Sequence, residues 1–72
     1  MIKYRRIFCQ GGVIRYEYYP EGDTSEPGIV EFREGESPKL IKESGKDVRR
    51  FYGVHALYGI DTSKEKGTVA WY

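Results

Sequence analysis

A chain of 72 residues, with 12 basic and 11 acidic side chains and a net charge of +1, reads as one small domain near the lower limit for a self-supporting core. Its lone cysteine excludes an internal disulfide, and one cysteine with one histidine excludes a structural zinc site of Cys/His ligands within the chain. No stretch approaches the roughly 20 apolar residues of a membrane helix, and MIKYRRIFCQGG lacks the apolar core of a secretory signal, so a cytoplasmic location is expected.

Residues 2–9, IKYRRIFC, and 13–19, VIRYEYY, are β-rich runs flanking Gln10–Gly11–Gly12. Paired glycines supply the positive φ values of a tight hairpin, and two registers compete. A two-residue Gly11–Gly12 loop sets Cys9 opposite Ile14 and Ile7 opposite Tyr16. A three-residue loop sets Phe8 opposite Ile14, Arg6 opposite Tyr16 and Tyr4 opposite Tyr18. The second gathers Ile2, Tyr4, Phe8, Ile14, Tyr16 and Tyr18 on one face, interrupted only by Arg6, and is the expected register. Its reverse face holds Lys3, Arg5, Ile7, Cys9, Val13, Arg15, Glu17 and Tyr19.

Pro20–Glu21–Gly22 ends the second strand, because proline cannot donate to a ladder and glycine permits reversal. Residues 29–33, IVEFR, form a third strand with Val30 and Phe32 alternating against Glu31 and Arg33. Residues 39–43, KLIKE, form a short fourth strand whose lysines suit an edge.

The stretch 47–60, DVRRFYGVHALYGI, has helical periodicity, with Asp47 as N-cap and Gly59 as a left-handed C-cap. At about 100° per residue, Val48, Phe51, Tyr52, His55 and Tyr58 gather on one apolar face. Residues 67–72, GTVAWY, make a closing strand with Val69 and Trp71 inward and Ala70 and Tyr72 outward. Short turns between the first four strands imply an antiparallel meander. The helix then crosses the apolar face and returns the chain beside strand one. The expected fold is α+β: a single domain over 1–72, a five-stranded antiparallel sheet in the order 4-3-2-1-5, and one helix on one face.

Chemistry-bearing residues are few. His55 and Cys9 could form an imidazole–thiolate couple only with an orienting group and an oxyanion hole, and no motif supplies them. The favoured register also sets Cys9 on the face away from the helix. Glu21, Asp23 and Glu26 crowd one loop, yet YPEGDTSEPG lacks the ligand spacing of an EF-hand calcium loop. No enzyme activity, cofactor, metal or small-molecule substrate is inferred.

Charge is uneven: residues 1–16 hold four bases and no acid, whereas 17–36 hold seven acids and one base. Lys3, Arg5 and Arg15, with Tyr19, combine cations for phosphates and a ring for stacking, as a nucleic-acid surface does. Glu17 within the patch and the near-zero net charge weigh against that use.

Seven tyrosines, three phenylalanines and one tryptophan are more rings than one helix on one small sheet hides. Some of Tyr19, Tyr52, Trp71 and Tyr72 should be exposed, as protein-contacting rings are. The last strand is an edge, and its residues 68–72 carry no charge to discourage pairing. A non-enzymatic protein-interaction module, contacting a partner or a second copy through Tyr19, Trp71 and Tyr72, is the leading reading. The segments YEYYPEGDTSEPGIVEF and HALYGIDTSKEKGTVAWY resemble short uncharacterised bacterial proteins of similar length. That resemblance implies a bacterial or mobile-element origin and an unassigned role. The chain is also similar in size and motif poverty to small phage and mobile-element proteins, which gives the runner-up reading of a stoichiometric inhibitor of a host defence protein.

Overall fold

The computed structural model describes residues 1–46 and 51–70, with the side chain of Phe51 outside that set. Strand β1 spans Ile2–Gln10, β2 Val13–Pro20, β3 Gly28–Arg33 and β4 Lys39–Lys42. Helix α1 spans Phe51–Gly59 and β5 spans Lys66–Val69. The strands form one antiparallel sheet in the order β4-β3-β2-β1-β5, so the expected α+β topology holds. Asp47, Val48, the Phe51 ring, Trp71 and Tyr72, each assigned a role from the sequence, lie outside the described residues.

The first hairpin satisfies both candidate registers, one at each end. Gly11 and Gly12 turn the chain with φ of 60° and 79°, and Cys9 pairs with Ile14 as a two-residue loop requires. A bulge at Ile7 then adds one residue to β1, so that Arg6 faces Tyr16 and Tyr4 faces Tyr18. A bulge moves every residue on its far side to the opposite face. Phe8 therefore leaves the core face to pair with Arg15, and Cys9 joins Ile14 on the helix side. Both placements reverse the sequence expectation, because periodicity alone does not register one inserted residue.

The core lies between the sheet and α1. Ile2, Tyr4, Tyr16, Tyr18, Val30 and Ala56 are buried together, with Ile14, Phe32, Leu40, Tyr52, Leu57, Ile60 and Val69 packed around them. Tyr16 meets Tyr4 and Phe32 edge-on, at centroid distances of 5.4 and 5.9 Å. With the sheet supplying this much ring volume, the helix must come close and bring little. It turns Gly53 and Ala56 inward, flanked by Tyr52 and Leu57, and leaves Val54 and Tyr58 outside. Tyr58, expected in the core, is 82% exposed. Ring size misdirected the helical wheel: the sheet had already filled the space.

Gly59 has a different role from the one expected. It is not among the positive-φ glycines, so it does not end the helix in a left-handed cap. A Cβ there would stand 2.5 Å from Val69 Cγ1, so glycine is what lets the helix end pass over β5. Ile60 N–H donates to Ala56 O at 3.2 Å and closes the last turn.

Buried tyrosines keep their hydroxyls paired, and those bonds hold the loops. Tyr16 Oη donates to Lys64 O at 2.6 Å, and Tyr4 Oη accepts from Asp61 N at 3.4 Å. Tyr18 Oη accepts from Ser44 N at 3.0 Å, while the Ser44 hydroxyl donates to Glu26 O. The loops on either side of α1 are thus tied to the rings on which the helix rests.

Candidate functional site

The sheet's second face has no helix or strand over it among the described residues. Register places Lys3 and Arg5 of β1, Arg15 of β2, Arg33 of β3, Lys39 and Lys42 of β4, and Lys66 of β5 on it. Only two acids, Glu17 and Glu31, share that face within the strands. Both are engaged.

Glu31 is 3% exposed beneath two arginines: Arg33 Nε donates to Oε2 at 2.7 Å and Arg15 Nε to Oε1 at 2.8 Å. These bonds, Arg33's first, hold its carboxyl below the ordinary carboxylate range. Glu17 Oε1 accepts from Tyr19 Oη at 2.7 Å and from an Arg5 guanidinium nitrogen at 3.5 Å. Burial, and then this bond to Glu17, push the Tyr19 phenol up.

The structure separates the basic residues that the sequence grouped. Arg15 is committed to Glu31 and lies over the Phe8 ring, 5.2 Å from its centroid. Lys3 and Arg5 instead line an open groove of about 430 Å³ along β1 and β5, with Lys66, Thr68, Thr24 and Tyr19. Tyr19 was expected as an exposed contact ring. It is 9% exposed, because its hydroxyl folds down to Glu17, so it forms the groove floor rather than a protruding anchor. Trp71 and Tyr72, the other expected contact rings, lie outside the described residues.

The sequence pattern starts the closing strand at residue 67, which includes Thr68 but misses Lys66, the first residue of β5. The signal was available: Lys66 and Thr68 alternate with Gly67 and Val69 at strand period. Strand β5 pairs only with β1 among the described strands, so its outer side is an edge. Arg6 N–H donates to Glu65 O at 2.6 Å, just beyond the ladder in the same register. Antiparallel alternation then makes Tyr4–Gly67 and Ile2–Val69 the hydrogen-bonded pairs. It follows that the N–H and C=O groups of Lys66 and Thr68 point to the free edge.

The same alternation makes Arg5–Lys66 a non-hydrogen-bonded pair, the kind whose Cα atoms stand only about 4.5 Å apart. Two cations face each other across it, an unfavourable arrangement in an unliganded sheet. Arg5 has Glu17 on its other side, whereas Lys66 has no carboxylate within salt-bridge distance among the described residues.

Other candidates do not assemble. Cys9 is an exposed free thiol in a second hollow of about 390 Å³, beside Ile14, Phe32 and Thr62, and His55 is not part of that lining. Glu21 accepts from the Met1 ammonium at 2.8 Å and from Tyr52 Oη at 3.1 Å. Asp23 accepts from Ser25, and Glu26 faces Lys46 at 3.8 Å, so the three loop acids serve three different partners. No group of three or more His, Cys, Asp or Glu among the described residues is arranged to hold a metal. No described helix is long and apolar enough to cross a membrane.

No protein-family model matches the chain, and searches of curated proteins and of solved structures found no match either. Only its own geometry speaks for its function.

Proposed function

We propose that this chain is a non-enzymatic protein-interaction module that captures an extended segment of a partner along the outer edge of β5. The observation that carries the reading is the free edge itself. Lys66 and Thr68 turn unpaired backbone donors and acceptors outward beside an uncovered, groove-bearing face. Rows of this kind take up a further strand, with main-chain bonds giving affinity and alternate side chains giving specificity. The opposite edge is guarded: Lys39 and Lys42 bracket β4, and lysine discourages pairing. The free, exposed Cys9 thiol fits a reducing, cytoplasmic setting.

Site-specific crosslinking in the native host tests this. A photoreactive phenylalanine analogue replacing Thr68 should give one discrete adduct, and the same probe at Ser37, in the β3–β4 turn, should give none. Equal labelling at both positions, or none at Thr68, contradicts the reading. Adaptor and stoichiometric inhibitor are two uses of such an edge, and the identity of the crosslinked protein separates them.

A further inference from the structure

We infer that the segment seated on β5 is acidic, with carboxylates at alternate positions entering the groove formed by Lys66, Arg5 and Lys3. The inference rests on the edge-capture reading and adds the chemistry of the partner.

An added strand would lie about 4.8 Å outside β5, with same-face side chains about 6.8 Å apart. Lys66 and Thr68 sit two residues apart on one face of β5 and so share that repeat. A glutamate of the added strand beside Lys66 reaches its ammonium directly, while Arg5, whose guanidinium leans to Glu17, and Lys3, whose side chain lies beside Gly22, line the groove behind it. Among the described residues, no acid lines the groove itself; Glu17, at its border, engages Arg5 at 3.5 Å and leaves Lys66 as the uncompensated charge. The apposed Arg5–Lys66 charges, unfavourable alone, become favourable once a carboxylate stands between them.

Nucleic acid is the weaker occupant on three counts. The groove's ring Tyr19 is buried, and the exposed ring on this face, Phe8, is already capped by Arg15, so among the described residues no platform for base stacking is open on this face. Glu17 and Glu31 sit within the face that a phosphate backbone would have to cross. The outward backbone donors and acceptors of β5 match a peptide, which can zip to both.

Amide chemical-shift titration of the isotopically labelled full chain tests the inference. The probes are an extended peptide alternating threonine and glutamate, its glutamine counterpart, and an oligothymidylate. The glutamate peptide should shift Lys66 and Thr68 and bind about tenfold more tightly than the glutamine one, the difference two partly exposed ion pairs can make. That advantage should vanish at about 1 M salt, where the screening length falls to about 3 Å. It should also vanish in Lys66→Gln, whose exposed side chain is dispensable for folding, and Lys66→Glu should transfer the preference to a lysine peptide.

Equal binding of the two peptides at β5 would overturn the acidic chemistry and leave edge capture standing. No shift at β5 with either peptide would overturn edge capture itself. Tighter binding of oligothymidylate would assign the face to nucleic acid instead. Concentration-dependent self-association that shifts the same amides without peptide would make the occupant a second copy, and the inference fails.

Discussion

The two faces of this sheet are built from the same strands and carry opposite chemistry. Toward α1, Tyr4, Tyr16 and Tyr18 bury their rings and turn their hydroxyls to the loops that flank the helix. Away from α1, cations outnumber acids, and each of the two acids is bonded by a neighbour. The comparison teaches that the three tyrosines of the helix-facing side, Tyr4, Tyr16 and Tyr18, serve stability. The proposed binding role falls to lysine, arginine and the outer backbone of β5. Substitutions on the ring face should therefore unfold the domain, and those on the charged face should leave it standing.

The largest effect is expected at Tyr16, which is fully buried and anchors the Lys64 carbonyl. Tyr16→Ala should cost about 3–5 kcal/mol, enough to unfold a domain of this size, as a lost cooperative melt would show. A melt displaced by only a few degrees would mean that the rings are not the core.

Gly59→Ala comes next, and here two effects compete. Helix propensity favours alanine by about 1 kcal/mol. The added methyl would stand 2.5 Å from Val69 Cγ1, and overpacking of this kind costs about 1–3 kcal/mol. The clash should win, lowering the urea midpoint; a raised midpoint would place the helix end farther from β5. Tyr18→Phe should cost about 1 kcal/mol or somewhat more, since it leaves the buried Ser44 N–H without its acceptor.

On the charged face, the effect is one of pH. Folding lowers the Glu31 pKa, so its contribution is present above the ordinary carboxylate value of 4.5 and is lost as pH falls through the lower folded value. Glu31→Gln should flatten the acid limb of a stability–pH profile below about pH 4.5 and leave the neutral region's slope unchanged. An unchanged acid limb would show that the Arg33–Glu31–Arg15 bridge adds nothing. Smallest of all, Tyr58→Ala on the helix exterior should stay within about 0.5 kcal/mol of the parent in the same melts, although it removes a large ring.

Strand order was legible because glycine and proline punctuate the chain and alternation marks each strand. The hairpin was half legible: the paired glycines set Cys9 against Ile14, and the ring pattern set Tyr4 against Tyr18. Only a bulge reconciles them, and no residue type announces one at Ile7. The helix face was partly legible, since Tyr52 packs on the core as the wheel implies, and Tyr58 departs from it for a steric reason. Apolar periodicity ranks Tyr58 above Gly53 and Ala56, whereas a sheet already rich in tyrosine rings brings the small pair closest, with Tyr52 and Leu57 at their flanks. The basic patch was legible as composition, but not its division. Arg15 turns to Glu31, and Lys66 opens β5 one residue before the closing strand's expected start.

Amide hydrogen exchange along β5, in dilute protein without a partner, tests the central claim most directly. Gly67 and Val69 should be protected by their bonds to β1, and Lys66 and Thr68 should exchange at close to the rate of an open chain. Slow exchange at Lys66 and Thr68 in the isolated monomer would mean that the edge is already covered, and would contradict the account.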